Sequence, residues 1–140
     1  MFFTPDEKEI RFTVRGENYI SVLDGTVYRE TSLITVPKGP GMTIFSRRNS
    51  RYVCLSFSPE TVVIGRASHA IVGHVKQDSP LSLDIAATPD GNQVWETLEG
   101  TGRTDIFNAK RPFNVIDVFA TGPITNTSTS CPMHAGNLHT

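Results

Sequence analysis

Short stretches of alternating apolar and polar residues make up most of this chain, and turn-forming residues separate them. Residues 11–15 alternate, with Phe12 and Val14 on one face, and residues 81–85 show the same alternation. A period of two residues is typical of β-strands that bury one face. No long stretch has the three-and-four spacing of an amphipathic helix, so we predict little or no helix.

The most regular part of the chain, residues 81–122, is divided into four short strands by turns at 89–91, 100–102 and 110–112. Strands this short bury a face only against a second sheet. Asp24-Gly25 is the strongest hairpin signal, because a type I′ turn needs positive φ at both central residues. We expect it to join strand 19–23 to strand 26–29.

These patterns predict an all-β protein, an antiparallel β-sandwich of the Ig-like or jelly-roll-like kind. The strand order, and the choice between sandwich and barrel, stay open. A chain of 140 residues predicts one domain. We expect the sandwich over residues 10–122, an N-terminal arm over residues 1–9 and an extended polar tail over residues 123–140.

Charge and hydropathy narrow the class of partner. Lysine and arginine number 13 against 14 acidic residues, so the chain lacks the basic excess of a nucleic-acid-binding protein. No segment has the run of about 20 apolar residues that crosses a bilayer. The N-terminus lacks a signal-peptide pattern, so we expect synthesis in the cytoplasm without a secretory address.

The sequence does not predict an enzyme. It contains no Gly-x-Ser-x-Gly elbow for a serine nucleophile and no glycine-rich phosphate loop. We therefore expect no catalytic residues and no cofactor. His69 and His74 are five residues apart, which puts them on opposite faces of a strand, so we interpret both as polar strand positions.

The C-terminal tail holds the sharpest chemical feature, the sequence Cys131-Pro132-Met133-His134 followed by His139. Thiolate, thioether and imidazole groups suit copper(I) or zinc. A zinc site also needs four ligands within reach and a second shell that orients them. We favour a tail that carries no metal, and metal binding by these four side chains is kept as an alternative.

Three segments resemble small β-sandwich proteins of tailed-phage virions. Residues 44–57 resemble an N-x-R-x-x-x-L opening, and residues 83–92 resemble an L-x-x-S-x-D-G hairpin, with Trp95 just after it. Residues 111–122 resemble a G-P-F-x-x-I-R-x-x-x-T-G strand, although Asp117 stands where a basic residue is common.

This resemblance covers residues 42–122 and implies a structural protein of a virus particle. Such a protein decorates or cements a phage capsid, or belongs to the tail, so its location is the virion. Its partners would be copies of itself, as a homotrimer or another homo-oligomer, and a major capsid or tail protein. We expect the contacts at the chain ends, with Phe2, Phe3, Ile124 and Leu138 as anchors.

A carbohydrate- or receptor-binding module on the same sandwich is the alternative. It needs exposed aromatic side chains on which a glycan can stack, and Trp95 and Tyr52 are the candidates. Core packing is the more common role of such residues. The position of Trp95 therefore discriminates between the two functions.

Overall fold

The computed structural model describes residues 1–46, 51–56, 58–79 and 82–122, excluding the side chains of residues 46, 51–56 and 83. The strands in these ranges are β1 (Phe2–Phe3), β2 (Glu9–Val14), β3 (Tyr19–Asp24), β4 (Glu30–Thr35), β5 (Pro40–Ser46), β6 (Arg51–Ser56), β7 (Glu60–Gly65), β8 (Ile71–Lys76), β9 (Ser82–Ala87), β10 (Gln93–Leu98), β11 (Arg103–Asn108) and β12 (Val115–Ala120). One 3₁₀ turn, Glu99–Thr101, is the helical structure in these ranges.

The strands form three antiparallel sheets of four strands each: β1–β4, β5–β8 and β9–β12. Within each sheet the strands lie side by side in chain order. The prediction of an all-β protein with antiparallel sheets and little helix is confirmed. Where the sequence argument expected a second sheet behind each strand, the structure has three sheets packed in series.

Two apolar cores hold the sheets together, one on each side of the middle sheet. The core between the first and middle sheets contains Ile20, Val22, Ile34, Val36, Val62 and Ile64. The core between the middle and third sheets contains Val63, Val75, Ile85, Val94, Phe107, Ala109 and Phe113. Strand β7 therefore packs on both sides, because successive side chains of a strand point to opposite faces.

The N-terminal segment differs from the expected arm. Residues 2 and 3 form β1 and pair with β2, with Phe2 opposite Arg11 and Phe3 opposite Ile10. The first residues are therefore part of the first sheet. The tail of residues 123–140 lies outside the described residues.

The hairpin at Asp24-Gly25 exists, but its turn is longer than predicted. Asp24 ends β3, and β4 begins only at Glu30. The Asp24 carboxylate accepts the backbone N–H groups of Thr26 and Val27 at 2.8 and 2.9 Å. An aspartate that binds its own following backbone favours a wider turn over a two-residue one.

The turn between the third and fourth strands is built the same way in all three sheets. The last N–H of the third strand donates to the carbonyl just before the fourth strand, in the pairs Asp24–Arg29, Gly65–Ala70 and Asn108–Asn114. Each turn also holds a non-glycine residue with positive φ: Tyr28 at 57°, His69 at 53° and Phe113 at 60°. The sheets are therefore structural repeats of about 40 residues.

The turn between the first two strands repeats as well, in sequence and in hydrogen bonding. The tripeptide Thr-Pro-Asp stands at 4–6 in the first sheet and at 88–90 in the third. Thr4 Oγ1 accepts the N–H of Glu9 at 3.0 Å, and Thr88 Oγ1 accepts the N–H of Gln93 at 3.0 Å. The same side chain therefore closes both turns.

We predict that Gly73→Ala destabilises the fold. A Cβ at Gly73, in β8, would lie 2.2 Å from Cδ2 of the buried Phe113 ring of the third sheet. Overpacking of this kind costs about 1–3 kcal/mol in the free energy of unfolding. Urea denaturation measures the loss. Gly16→Ala is the matched control, because no atom lies within 4 Å of its Cβ, and an equal loss in both variants would contradict the prediction.

Candidate assembly surfaces

The outer face of the first sheet, which we call the back face, is apolar. The residues facing away from the middle sheet alternate with those in the core, and they include Phe3, Ile10, Phe12, Leu23 and Leu33. Phe3 is 50% exposed and Leu33 is 52% exposed. Ile10 is buried between Phe3 and Leu23, whereas Ser21, hydrogen-bonded to Glu30 at 2.6 Å, lies on the same face between Phe12 and Leu33.

The outer face of the third sheet, which we call the front face, carries a pair of aromatic rings. Trp95 and Phe119 stack with their ring centroids 5.9 Å apart and their planes 21° from parallel. Phe119 lies opposite Thr104, and Trp95 lies opposite Ile106. Phe119 is 44% exposed and Trp95 is half-buried, so the pair is open to solvent on one side.

A groove of about 500 Å³ lies where the first strands of the three sheets meet. Its walls are mainly apolar and include Phe2 from β1, Ile44 and Phe45 from β5, and Ala87 from β9. Phe2 therefore lines the groove, whereas its neighbour Phe3 belongs to the back face. The sequence predicted Phe2 and Phe3 as anchors of the same contact, but their side chains face opposite sides of the sheet.

A buried arginine connects the first sheet to the middle sheet. Arg11, in β2, is 1% exposed; its Nη2 donates to Glu9 Oε2 and to the carbonyl of Arg66, both at 2.6 Å. Glu9 Oε1 lies 3.0 Å from His69 Nε2, and His69 Nδ1 lies 3.2 Å from Ser32 Oγ. A buried cation needs such pairing, so we interpret this chain of bonds as a tie between the sheets.

The same bonds correct the expected position of His69. His69 lies in the turn before β8 and not in a strand. In this turn it has positive φ, and its ring is directed toward the first sheet. His74 is in β8, as expected, and its Nδ1 lies 2.8 Å from Glu60 Oε2. Ser32, His69 and Glu9 form a hydrogen-bonded series. The sequence does not predict it, because Glu9 and His69 are 60 residues apart.

A buried carboxyl group connects the middle sheet to the third. Glu96, in β10, is fully buried, and its Oε1 accepts hydrogen bonds from Thr61 Oγ1 at 2.7 Å and from Ser82 Oγ. Gln77 Nε2 donates to Thr61 Oγ1 at 2.8 Å. Glu96 Oε2 and Gln77 Oε1 have no hydrogen-bond partner within the described ranges, so protonation would give the Glu96 carboxyl group a donor in a site that offers Oε2 none.

Burial raises the pKa of Glu96 above its ordinary value of 4.5. Hydrogen bonds from Ser82, Thr61 and Gln77 oppose the rise, and the nearby Asp105 carboxylate adds to it. Burial also raises the pKa of Asp105. The sheet interface therefore favours the neutral form of Glu96.

The remaining predicted site residues, or their side chains, are outside the part of the chain that the structure describes. Tyr52 is in β6, but its side chain is not described. Ile124 and Leu138, and the four candidate metal ligands Cys131, Met133, His134 and His139, lie outside the described residues. Within the described ranges, no group of three or more His, Cys, Asp or Glu side chains is placed to hold a metal ion. No helix in the same ranges is long and apolar enough to span a membrane.

Neither the back face nor the polar ties were found from the sequence. The alternation of Phe12 and Val14 predicts that these residues share a face, but it does not tell whether that face lies in the core. The neighbouring strand β3 carries the signal for an apolar outer face, since it has apolar residues on both faces: Ile20 and Val22 on one, Leu23 on the other.

No family model and no curated protein matches this chain. Solved structures do resemble it. Hydrazine synthase of Kuenenia stuttgartiensis has a TM-score of 0.75 at 13% identity over 83% of this chain. Dihydro-heme d1 dehydrogenase NirN, solved in complex with DHE, has a TM-score of 0.71 at 16% identity over 84%. Apo AztD from Citrobacter koseri has a TM-score of 0.64 at 17% identity over 76%.

What these proteins share with the chain is the fold. All three are β-propeller-like proteins. The chain spans 33%, 25% and 30% of the lengths of hydrazine synthase, NirN and AztD, respectively. Each four-stranded sheet therefore corresponds to a propeller blade, and the groove lies on the side of the innermost strands.

We predict that replacing Glu96 changes how stability depends on pH. A carboxyl group whose pKa is raised by folding stabilises the protein fully below its unfolded pKa, and this stabilisation is lost as pH rises through the folded pKa. Wild type should therefore lose stability relative to Glu96→Gln as the pH rises above the ordinary glutamate pKa of 4.5 and through the raised pKa of the folded state. Urea unfolding at a series of pH values from below 4.5 upward measures the difference, which includes the loss of the Asp105–Glu96 repulsion in the variant. A difference that does not vary with pH would contradict the prediction.

Proposed function

We propose that this protein is a non-enzymatic structural protein that acts by packing its outer sheet faces against further β-sheets, first of all those of other copies of itself. The back face is the observation that carries this proposal. It combines buried Ile10 with Phe3 and Leu33, each about half exposed. Large, partly exposed apolar side chains grouped on one face are typical of interaction sites in soluble proteins.

The size of the side chains supports a contact surface. Phe3, Phe12 and Leu33 are large apolar groups on three different strands of one sheet, β1, β2 and β4. Burial of apolar area is worth about 25 cal/mol per Å², and aromatic residues are enriched among the side chains that dominate interface energies. A protein partner that covers this face gains that energy without any change in the fold.

The virion role is a narrower form of the same proposal. It rests on the resemblance of residues 42–122 to tailed-phage proteins, and it adds a capsid or tail protein as the second partner. A decorating protein binds the assembled particle and stabilises it by mass action. Back-face packing fits this function, as it fits any assembly of repeated β-sheet subunits.

We predict that Leu33→Glu weakens self-association at least tenfold, about 1.4 kcal/mol. A carboxylate at this position would have to be desolvated when the back face is covered. Light scattering on a size-exclusion column, over a range of concentrations, gives the mass to compare with the 15.4 kDa chain.

Val27→Glu is the matched control for this experiment. Val27 is 61% exposed but lies in the β3–β4 turn, away from the sheet face. It should associate as wild type does. A wild-type protein that stays monomeric at every concentration would contradict the proposal.

Glycan binding is a second candidate function, favoured by the stacked pair Trp95 and Phe119 on the front face. A sugar ring stacks on such a platform when one ring face is open. The structural function predicts that Trp95 fluorescence does not respond to glycans. Saturable quenching by an oligosaccharide, lost in Phe119→Ala, would instead establish the binding module.

A further inference from the structure

In each sheet, the side chains of the third strand show which face packs against the following sheet and which against the preceding one. Its second and fourth residues point to the following sheet, and its third and fifth residues point to the preceding one. In β7 the outward pair toward the third sheet is Thr61 and Val63, and the pair toward the first sheet is Val62 and Ile64. The two interfaces of the middle sheet are therefore distinct and directional.

The outer sheets carry the same pattern with one side open. In β11 the residues equivalent to Thr61 and Val63 are Thr104 and Ile106, and both belong to the front face. Thr61 Oγ1 bonds across the interface to Glu96. Thr104 Oγ1 is buried and has no hydrogen-bond partner within the described ranges. The front face thus repeats a surface that receives another sheet.

The back face repeats the opposite surface. In β3 the residues equivalent to Val62 and Ile64 are Ser21 and Leu23, which face away from the middle sheet. The back face also has Phe3 and Leu33 half exposed.

Resting on the proposed function, we propose that the back face of one copy packs on the front face of a second copy, and that two copies close into a ring. The contact continues the packing already present between consecutive sheets of one chain. The three sheets of the described residues make six in two copies, within the range of about four to eight blades that closes a propeller. Three copies would bring together nine of these sheets, which exceeds that range, so the proposed assembly is a dimer, whereas the resemblance to phage proteins implies a homotrimer.

This geometry places both outer faces in one kind of interface. Each copy contributes its back face to one contact and its front face to the other, and every contact pairs unlike faces. A symmetric dimer of two back faces would leave Trp95 and Phe119 untouched. The two arrangements therefore differ in the effect of front-face substitutions.

Complementation between two variants tests the inference. Leu33→Glu damages the back face, and Phe119→Glu damages the front face; both positions are about half exposed in the monomer, so the variants should fold. Each variant alone has both ring contacts damaged and should be monomeric. An equimolar mixture restores one intact contact per pair, so a heterodimer of about twice 15.4 kDa should form.

Light scattering gives the masses, and circular dichroism confirms that each variant is folded, with Val27→Glu as the control. Wild type should be a dimer in which Trp95 emission is blue-shifted relative to the Leu33→Glu monomer, whose Trp95–Phe119 stack is intact. If Leu33→Glu prevents association and Phe119→Glu does not, like faces pair: the ring is overturned and the assembly function stands. If wild type is monomeric, both are overturned. A mixture of variants that remains monomeric overturns the ring.

Discussion

The rest of this structure depends on the packing of four-stranded sheets through both of their faces. A sheet whose two faces are apolar is stable only with a neighbour on each side, since each uncovered face leaves hydrophobic area in water. The middle sheet satisfies this condition, because Val62 and Ile64 are covered by the first sheet and Val63 by the third. Within the described part of the chain, the first and third sheets satisfy it on one side only, and their outer faces are where the function is expected.

Apolar packing gives the stack most of its energy but little of its geometry, because hydrophobic burial is not directional. Two polar ties supply the direction. Arg11 bonds to Glu9 and to the backbone of the β7–β8 turn, and Glu96 bonds to Thr61 across the other interface. Buried hydrogen bonds of this kind restrict the position of the partner sheet. A shift that breaks one of them leaves a buried charge or polar atom without a hydrogen-bond partner. The sheets are thereby held at positions where their first strands converge on the groove.

The sequence predicted the class of the fold and not the grouping of its strands. Alternation over residues such as Phe12 and Val14 identifies strands and tells which side chains share a face. It does not tell which sheet covers that face. The repeated Thr-Pro-Asp at 4–6 and 88–90 is visible in the sequence, but its two copies lie two repeats apart and the three letters occur nowhere between them. The polar ties could not be predicted from the sequence for a different reason. His69 and Glu9 are in contact only because two sheets pack together.

Repetition explains why the two uncovered faces differ in character. Each sheet has one face that is equivalent to the side packing on the preceding sheet and one that is equivalent to the side packing on the following sheet. The back face therefore corresponds to the Val62 side of the middle sheet, and the front face corresponds to its Val63 side. Each interface within the chain pairs one face of each kind, and the proposed contact between copies pairs them in the same way. Association through them requires no new kind of contact, only the same contact made between chains. In the proposed assembly, the stability of the association and the stability of the fold therefore come from the same kind of packing, and a substitution that weakens the packing between sheets should lower both.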